Sequence, residues 1–115
     1  MPQPGGHYSM CIEHNGCLYI AGQLPKNLET NEIPEGIEAQ TIQVLENIKL
    51  IVEEAGSTID KIIQMRIYIP NIDMWDAVNK IYGEFFINHK PVRAIIPTRE
   101  LHYGCLLEIE ATAAV

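Results

Sequence analysis

At 115 residues with a formal net charge of −7, the chain has room for one hydrophobic core and carries an acidic surface. Its 8 Lys and Arg residues are scattered without a basic run, so the clustered positive surface that phosphate recognition needs is missing and nucleic acid is not expected as a partner. The same charge repels anionic headgroups, and no stretch reaches the roughly 18–20 apolar residues of a membrane span, so no membrane partner is expected either.

The stretch Met1-Pro2-Gln3-Pro4-Gly5-Gly6 lacks the charged start and apolar core of a secretory signal. Cys11, Cys17 and Cys105 leave one thiol over after any pairing and form no CxxC, the pattern of reduced thiols, so the expected location is cytoplasmic. With 47% of residues hydrophobic and 20% charged, apolar surface is left over for subunit contacts.

In chain order, a first strand is expected over Tyr8–Glu13. Asn15-Gly16 follows between two short apolar runs, a hairpin signal because both residues accept positive φ. Cys17–Ala21 returns as the second strand, Gly22-Gln23-Leu24-Pro25 ends it, and a turn-rich loop runs to Gly36. Between Ile37 and Ala55, the residues Val44, Leu45, Ile48, Ile51, Val52 and Ala55 recur at three- and four-residue steps, an amphipathic helix closed by Gly56. Lys61–Ile69 is Ile-rich and stops at Pro70, a mostly buried strand. Asp73 is positioned to cap a second helix with the stripe Met74, Trp75, Val78, Tyr82 and Phe85, Ile81 alongside, broken at Lys90-Pro91. Val92–Ile96 is a short strand, Pro97–Tyr103 a connection and Gly104–Val115 a final long strand. The order ββαβαββ predicts an α+β fold, a mixed sheet with both helices on one face. The other face then needs cover, which self-association could supply.

Few residues carry recognisable chemistry. There is no GxSxG, Gly-rich phosphate loop or HExxH, and the four histidines are far apart, so no metal site is expected. Tyr8, just before the first strand, is either partial core or a phenol facing a pocket. Arg93 sits inside a predicted strand beside the apolar run Ala94-Ile95-Ile96. It snorkels to the surface, pairs with a carboxylate of the protein, or awaits an anion that its planar fork would bind bidentately. Glu108 and Glu110, two apart on a strand, share one face. They form a solvated face, an ion pair with Arg93 or Arg66, or a carboxylate that activates water.

Gly6-His7-Tyr8-Ser9, Ala21-Gly22-Gln23-Leu24-Pro25, Gln40 through Asn47 (QTIQVLEN), Glu54-Ala55-Gly56, Ala77 through Tyr82 (AVNKIY), Pro91-Val92-Arg93 and Glu108-Ile109-Glu110-Ala111 occur in the order and spacing of one family. Over essentially its whole length, as a single domain of residues 1–115, the chain resembles the reactive intermediate deaminases (Rid, YjgF-type). The resemblance implies a chorismate-mutase-like homotrimer with sites in clefts between subunits. It also implies hydrolysis of enamine/imine acids of the 2-aminoacrylate type to 2-keto acids and ammonia, without a cofactor.

By position, Arg93 matches the arginine that holds the substrate carboxylate, Glu108 the acid at the attacking water and Tyr8 the pocket tyrosine. Gly22 and Gln23 match a backbone-lined wall, and Asn79 a polar helix residue near the cleft. The chain departs from the family pattern at His7, usually Pro, at Ala21, often Ser, and at Ile95, usually Cys, which makes the pocket less polar. Non-catalytic binding of a small carboxylate in the same cleft is the main alternative. A ribonuclease fits poorly with the acidic charge, and a chorismate mutase would need more than one arginine for its dianionic substrate.

Overall fold

The computed structural model describes residues 1–115. Strands β1 (Cys11–His14) and β2 (Cys17–Gln23) are followed by helix α1 (Ile37–Glu54), strand β3 (Ile62–Ile69), helix α2 (Trp75–Phe85), and strands β4 (Val92–Pro97) and β5 (Glu108–Ala114). The expected ββαβαββ order is therefore observed. The sheet order is β1-β2-β5-β3-β4, with β3 and β4 parallel and every other neighbour antiparallel.

Local chemistry explains the elements. Asn15 and Gly16 take φ of 51° and 78°, closing the β1–β2 hairpin between the paired His14 and Cys17. Helix α1 buries Val44, Leu45, Ile48, Ile51 and Val52 completely, a continuous stripe worth about 1.5–3 kcal/mol per side chain. It ends in a Schellman motif: Gly56 at φ 87° donates to the Glu53 carbonyl and Ser57 N–H to that of Val52.

On β3 and β5 burial alternates. Met65, Ile67, Ile69, Ile109, Ala111 and Ala113 lie under the helices, whereas Gln64, Arg66, Tyr68, Glu108, Glu110 and Thr112 are only half-buried on the opposite face. Both helices thus cover one face and leave a partly polar face open.

Four expectations are corrected. Strand β1 starts at Cys11, not Tyr8, because residues 1–9 lie outside the ladder. Strand β5 starts at Glu108, not Gly104, because a short 3₁₀ turn at His102–Gly104 intervenes. Asn71, not Asp73, caps the second helical segment: its side-chain oxygen accepts from Asp73 N–H at 2.9 Å, ahead of a 3₁₀ turn over Ile72–Met74. The buried stripe of α2 narrows to Val78 and Tyr82 with Phe86 just beyond, whereas Trp75 remains exposed and Phe85 half-buried.

Candidate functional site

Strand β2 ends in a bulge. Ile20 pairs with Ala111 and Gln23 with Ile109, so Ala21 and Gly22 together oppose Glu110. The Gln23 side chain is buried and fastens the bulge, its amide donating to the Ala21 carbonyl at 2.9 Å and to Met10 Sδ at 3.0 Å. Gly22 therefore lies against Glu108, where an added β-carbon would meet the carboxyl carbon at 3.2 Å. Gly22 and Gln23 also line a cleft of about 310 Å³ with Tyr8, Lys26, His102 and Tyr103. Tyr8 is half exposed, and its hydroxyl accepts a 3.3 Å hydrogen bond from Gly5 N–H.

Two buried polar residues of α1 hold this region in place, and both fall in the QTIQVLEN stretch. Gln40 accepts from Leu106 N–H at 2.9 Å, two residues before Glu108, while its amide donates to the Pro34 carbonyl. Asn47 donates to the Lys26 carbonyl at 2.8 Å and to the Leu24 carbonyl at 3.3 Å, securing the chain just beyond Gly22. Buried side-chain amides that cross to a loop backbone are costly to leave unpaired, which explains polar residues on the packed side of a helix.

The two carboxylates of β5 differ sharply. Glu110 accepts from Arg66 Nε at 2.8 Å and from the Tyr68 hydroxyl at 2.5 Å. The Tyr68 hydrogen bond chiefly, and Arg66 beside it, hold its carboxyl below the usual range despite burial. Glu108 has no hydrogen-bond partner or ion pair; burial, then the charge of Glu110, push its carboxyl above the usual range, with His102 opposing. Neighbouring acids whose affinities for a proton are driven apart are the pattern expected of one structural and one reactive group.

Arg93 lies elsewhere. On β4 it pairs with Met65 and so shares the helix-side face of the sheet, at its edge. Its Nη1 donates to Asn79 Oδ1 at 2.9 Å, and its guanidinium carbon lies 4.8 Å from the Tyr82 ring centroid and 5.6 Å from that of Trp75. The ion pairs of the chain are Arg66–Glu110 and Met1 N-terminus–Glu54, so Arg93 has no carboxylate partner. Of the three options for this arginine, an internal ion pair is eliminated. It faces a second cleft, about 510 Å³, with Asn79, Tyr82 and His89. Ile95 lies two residues further along the same face, half-buried beside the core.

The sequence-derived residues therefore form two groups: Tyr8, Gly22 and Gln23 line one cleft with Glu108 packed against Gly22, whereas Arg93 and Asn79 line the other with Ile95 further along the strand. Arg93 and Glu108 project from opposite faces, on strands about 10 Å apart with β3 between them, and are offset along the sheet because Arg93 pairs with Met65 and Glu108 with Tyr68. Within one chain they cannot grip one small molecule. Trp75 and Tyr82, expected only as core, bracket the arginine. His102 and Tyr103, expected only as connection, wall the first cleft. No three His, Cys, Asp or Glu side chains converge to hold a metal ion, and no helix is long and apolar enough to cross a membrane.

Comparison with known proteins places this geometry in context. The family model described as Endoribonuclease L-PSP matches residues 1–115. A RutC family protein from Pyrococcus horikoshii is 41% identical over 113 residues, covering 97% of this chain and 90% of the relative. Among solved structures, YyfA of the Rid protein family from Yersinia pestis is 42% identical with a TM-score of 0.95, covering 99% of this chain and 92% of that one. E. coli TdcF with bound serine is 32% identical with a TM-score of 0.94 and the same two coverages, 99% and 92%.

Proposed function

The chain belongs to the Endoribonuclease L-PSP family, which includes the Rid and YjgF proteins, and we propose that it hydrolyses reactive 2-imino acids of the 2-aminoacrylate type to 2-keto acids and ammonia. The assembly proposed is a homotrimer in which the open sheet face is covered by other copies and each site joins Arg93 of one protomer to Glu108, Tyr8 and the Gly22–Gln23 backbone of its partner. The expected compartment is the cytoplasm.

One observation carries this reading. Arg93 is held ready by Asn79 and two aromatic rings but has no carboxylate of its own, while the unpartnered Glu108 faces the other side of the sheet. A guanidinium in that state binds a carboxylate bidentately. The serine bound by the structural relative TdcF is a molecule of this kind, which supports a small carboxylate as ligand.

The chemistry follows from bond polarity. Arg93 pins the carboxylate and leaves the imine carbon facing water. Glu108, its carboxyl raised above the usual range by burial, takes a proton as the water oxygen bonds to that carbon, and the imine nitrogen takes a proton from solvent. The carbinolamine then expels its nitrogen: the C–N bond breaks, Glu108 returns its proton to the departing ammonia, and the hydroxyl becomes the keto oxygen after releasing its own proton to solvent. Only water is consumed and no redox change occurs, so the step needs no cofactor. Imines already hydrolyse unaided, and positioning with proton transfer, each worth several kcal/mol, suffices.

Subunit complementation tests both chemistry and assembly. Imino acids are generated in situ and their decay is followed. Arg93→Ala and Glu108→Gln proteins are each expected to lose activity by about 10²-fold or more while remaining assembled. Unfolding and refolding them together should restore activity, because a mixed assembly regenerates some boundaries carrying both native residues. Absence of restoration would remove the shared site, and acceleration that survives Arg93→Ala would remove the anchor. Tight 2-keto acid binding with no acceleration by the wild type would make the protein a carboxylate-binding module.

A further inference from the structure

The cleft lined by Gly22 and Gln23 contains more than deamination of a three-carbon acid requires. At about 310 Å³ it exceeds the needs of 2-aminoacrylate, and its wall includes the rings of Tyr8, His102 and Tyr103. Tyr103 is 62% exposed and Tyr8 50% exposed, and both border this space. The Tyr103 ring lies flat on His102, with centroids 3.9 Å apart and planes 6° from parallel, and Lys26 Nζ lies 5.0 Å from the Tyr103 centroid.

Backbone conformation supplies an independent observation. Tyr103 is at φ 59°, ψ 21°, the left-handed region that a bulky side chain rarely adopts. Glycine or asparagine would sit there without that penalty, and a flanking glycine, Gly104 at φ 68°, already serves the turn. Nothing in the core needs this ring, since it is mostly exposed. A bulky aromatic held at a disfavoured backbone position, stacked and lining a cleft, is the kind of strain that persists where the ring is used.

We propose that Tyr103, stacked on His102 and flanked by Tyr8 and Lys26, is a specificity platform that selects imino acids with a planar aromatic side chain. This rests on the deaminase reading for the reaction, with Glu108 acting on the imine carbon behind Gly22 while the substrate ring lies along Tyr103. Aromatic rings prefer offset-stacked or edge-to-face partners, and the ring face also attracts a nearby ammonium, so Tyr103 and Lys26 together suit an electron-rich ring. An aliphatic side chain would leave the part of the ring that His102 does not cover to water.

The test compares imines made in situ by an amino-acid oxidase from phenylalanine and from alanine. Wild-type kcat/KM is expected to favour the phenylalanine imine by about tenfold, within the range that aromatic stacking supplies. Tyr103→Gly should erase that ratio without lowering thermal stability, because glycine accepts the local φ, and Tyr103→Phe should retain it. A ratio that ignores Tyr103→Gly overturns the platform while deamination stands. Affinities for phenylpyruvate and pyruvate, measured by calorimetry, need no turnover. A matching preference lost in Tyr103→Gly supports the platform even if neither imine is hydrolysed faster, and equal affinities overturn it.

Discussion

Arg66 lies on the open sheet face one strand in from the edge, and Arg93 lies at the β4 edge on the opposite face. Both are arginines on adjacent strands, both are half-buried, and both are held by neighbours. Arg66 faces Glu110 across an antiparallel pair, and the carboxylate accepts from it and from Tyr68 at once. Arg93 faces Met65 across a parallel pair, so its neighbours are a helix amide and two rings, which orient a cation without neutralising it. Whether an arginine is structural or available is decided by what the pairing register places opposite it, not by burial.

The largest expected effect separates the two directly. Arg93→Ala should lower kcat/KM for an imino acid by about 10³-fold, roughly 4 kcal/mol, with stability changed by less than about 1 kcal/mol. Arg66→Ala should do the reverse: activity within about threefold of wild type, and stability lower by about 1–3 kcal/mol because Glu110 and Tyr68 lose a partner on a half-covered face. Activity assays and chemical denaturation at fixed protomer concentration give both numbers. Similar behaviour of the two variants would dissolve the contrast.

The carboxylates sharpen it. Glu110 has a lowered proton affinity, so the stability it contributes is present above the ordinary carboxylate range and is lost as pH falls through its folded pKa. Glu108 is raised, so its contribution is present only while it is protonated and is lost as pH rises through its folded pKa. Near pH 7 an ionised Glu108 is therefore a liability. Glu108→Gln should lower kcat about 10²-fold while raising stability by a few tenths of a kcal/mol, solvent screening included, and that gain should vanish in acid. In the wild type the acid limb of activity should fall above the usual glutamate range. A Glu108→Gln protein less stable than wild type at pH 7 would mean that this carboxylate has a structural partner.

These distinctions mark where sequence reading stops. The helix over 37–54, its glycine stop and the Asn15-Gly16 hairpin were legible because local periodicity and turn chemistry determine them. The shared face of Glu108 and Glu110 was legible from strand alternation. Which of them stays unpaired was not, because that depends on Arg66 and Tyr68 arriving from a strand some 40 residues away in register. Arg93 was legible as a lone cation in an apolar run. Trp75 was assigned to the core from helical spacing, yet it sits at the exposed edge where a ring can lie near that cation. His102 and Tyr103 resembled a plain connection and Gly104 the start of the last strand, and that glycine was the one sign of the tight turn found there.

The smallest expected effect bears on what completes the Arg93 edge. The Tyr82 hydroxyl is buried without a hydrogen-bond partner, and burial, opposed by Arg93, pushes its pKa up to about 12. In a single chain an orphaned hydroxyl is a net cost, so Tyr82→Phe should raise stability by about 1 kcal/mol, while the retained ring still braces Arg93. That sign holds only if the hydroxyl is also orphaned in the assembled protein. If a neighbouring copy docks against this edge and supplies a carbonyl, the same substitution removes a hydrogen bond and lowers stability by a similar amount. Activity should stay near wild type in either case, since the ring face and the Asn79 amide, rather than the hydroxyl, orient the guanidinium. The expected gain would leave the arginine bracket built within one chain, and a loss would make Tyr82 part of the boundary between subunits, with Arg93 braced from both sides.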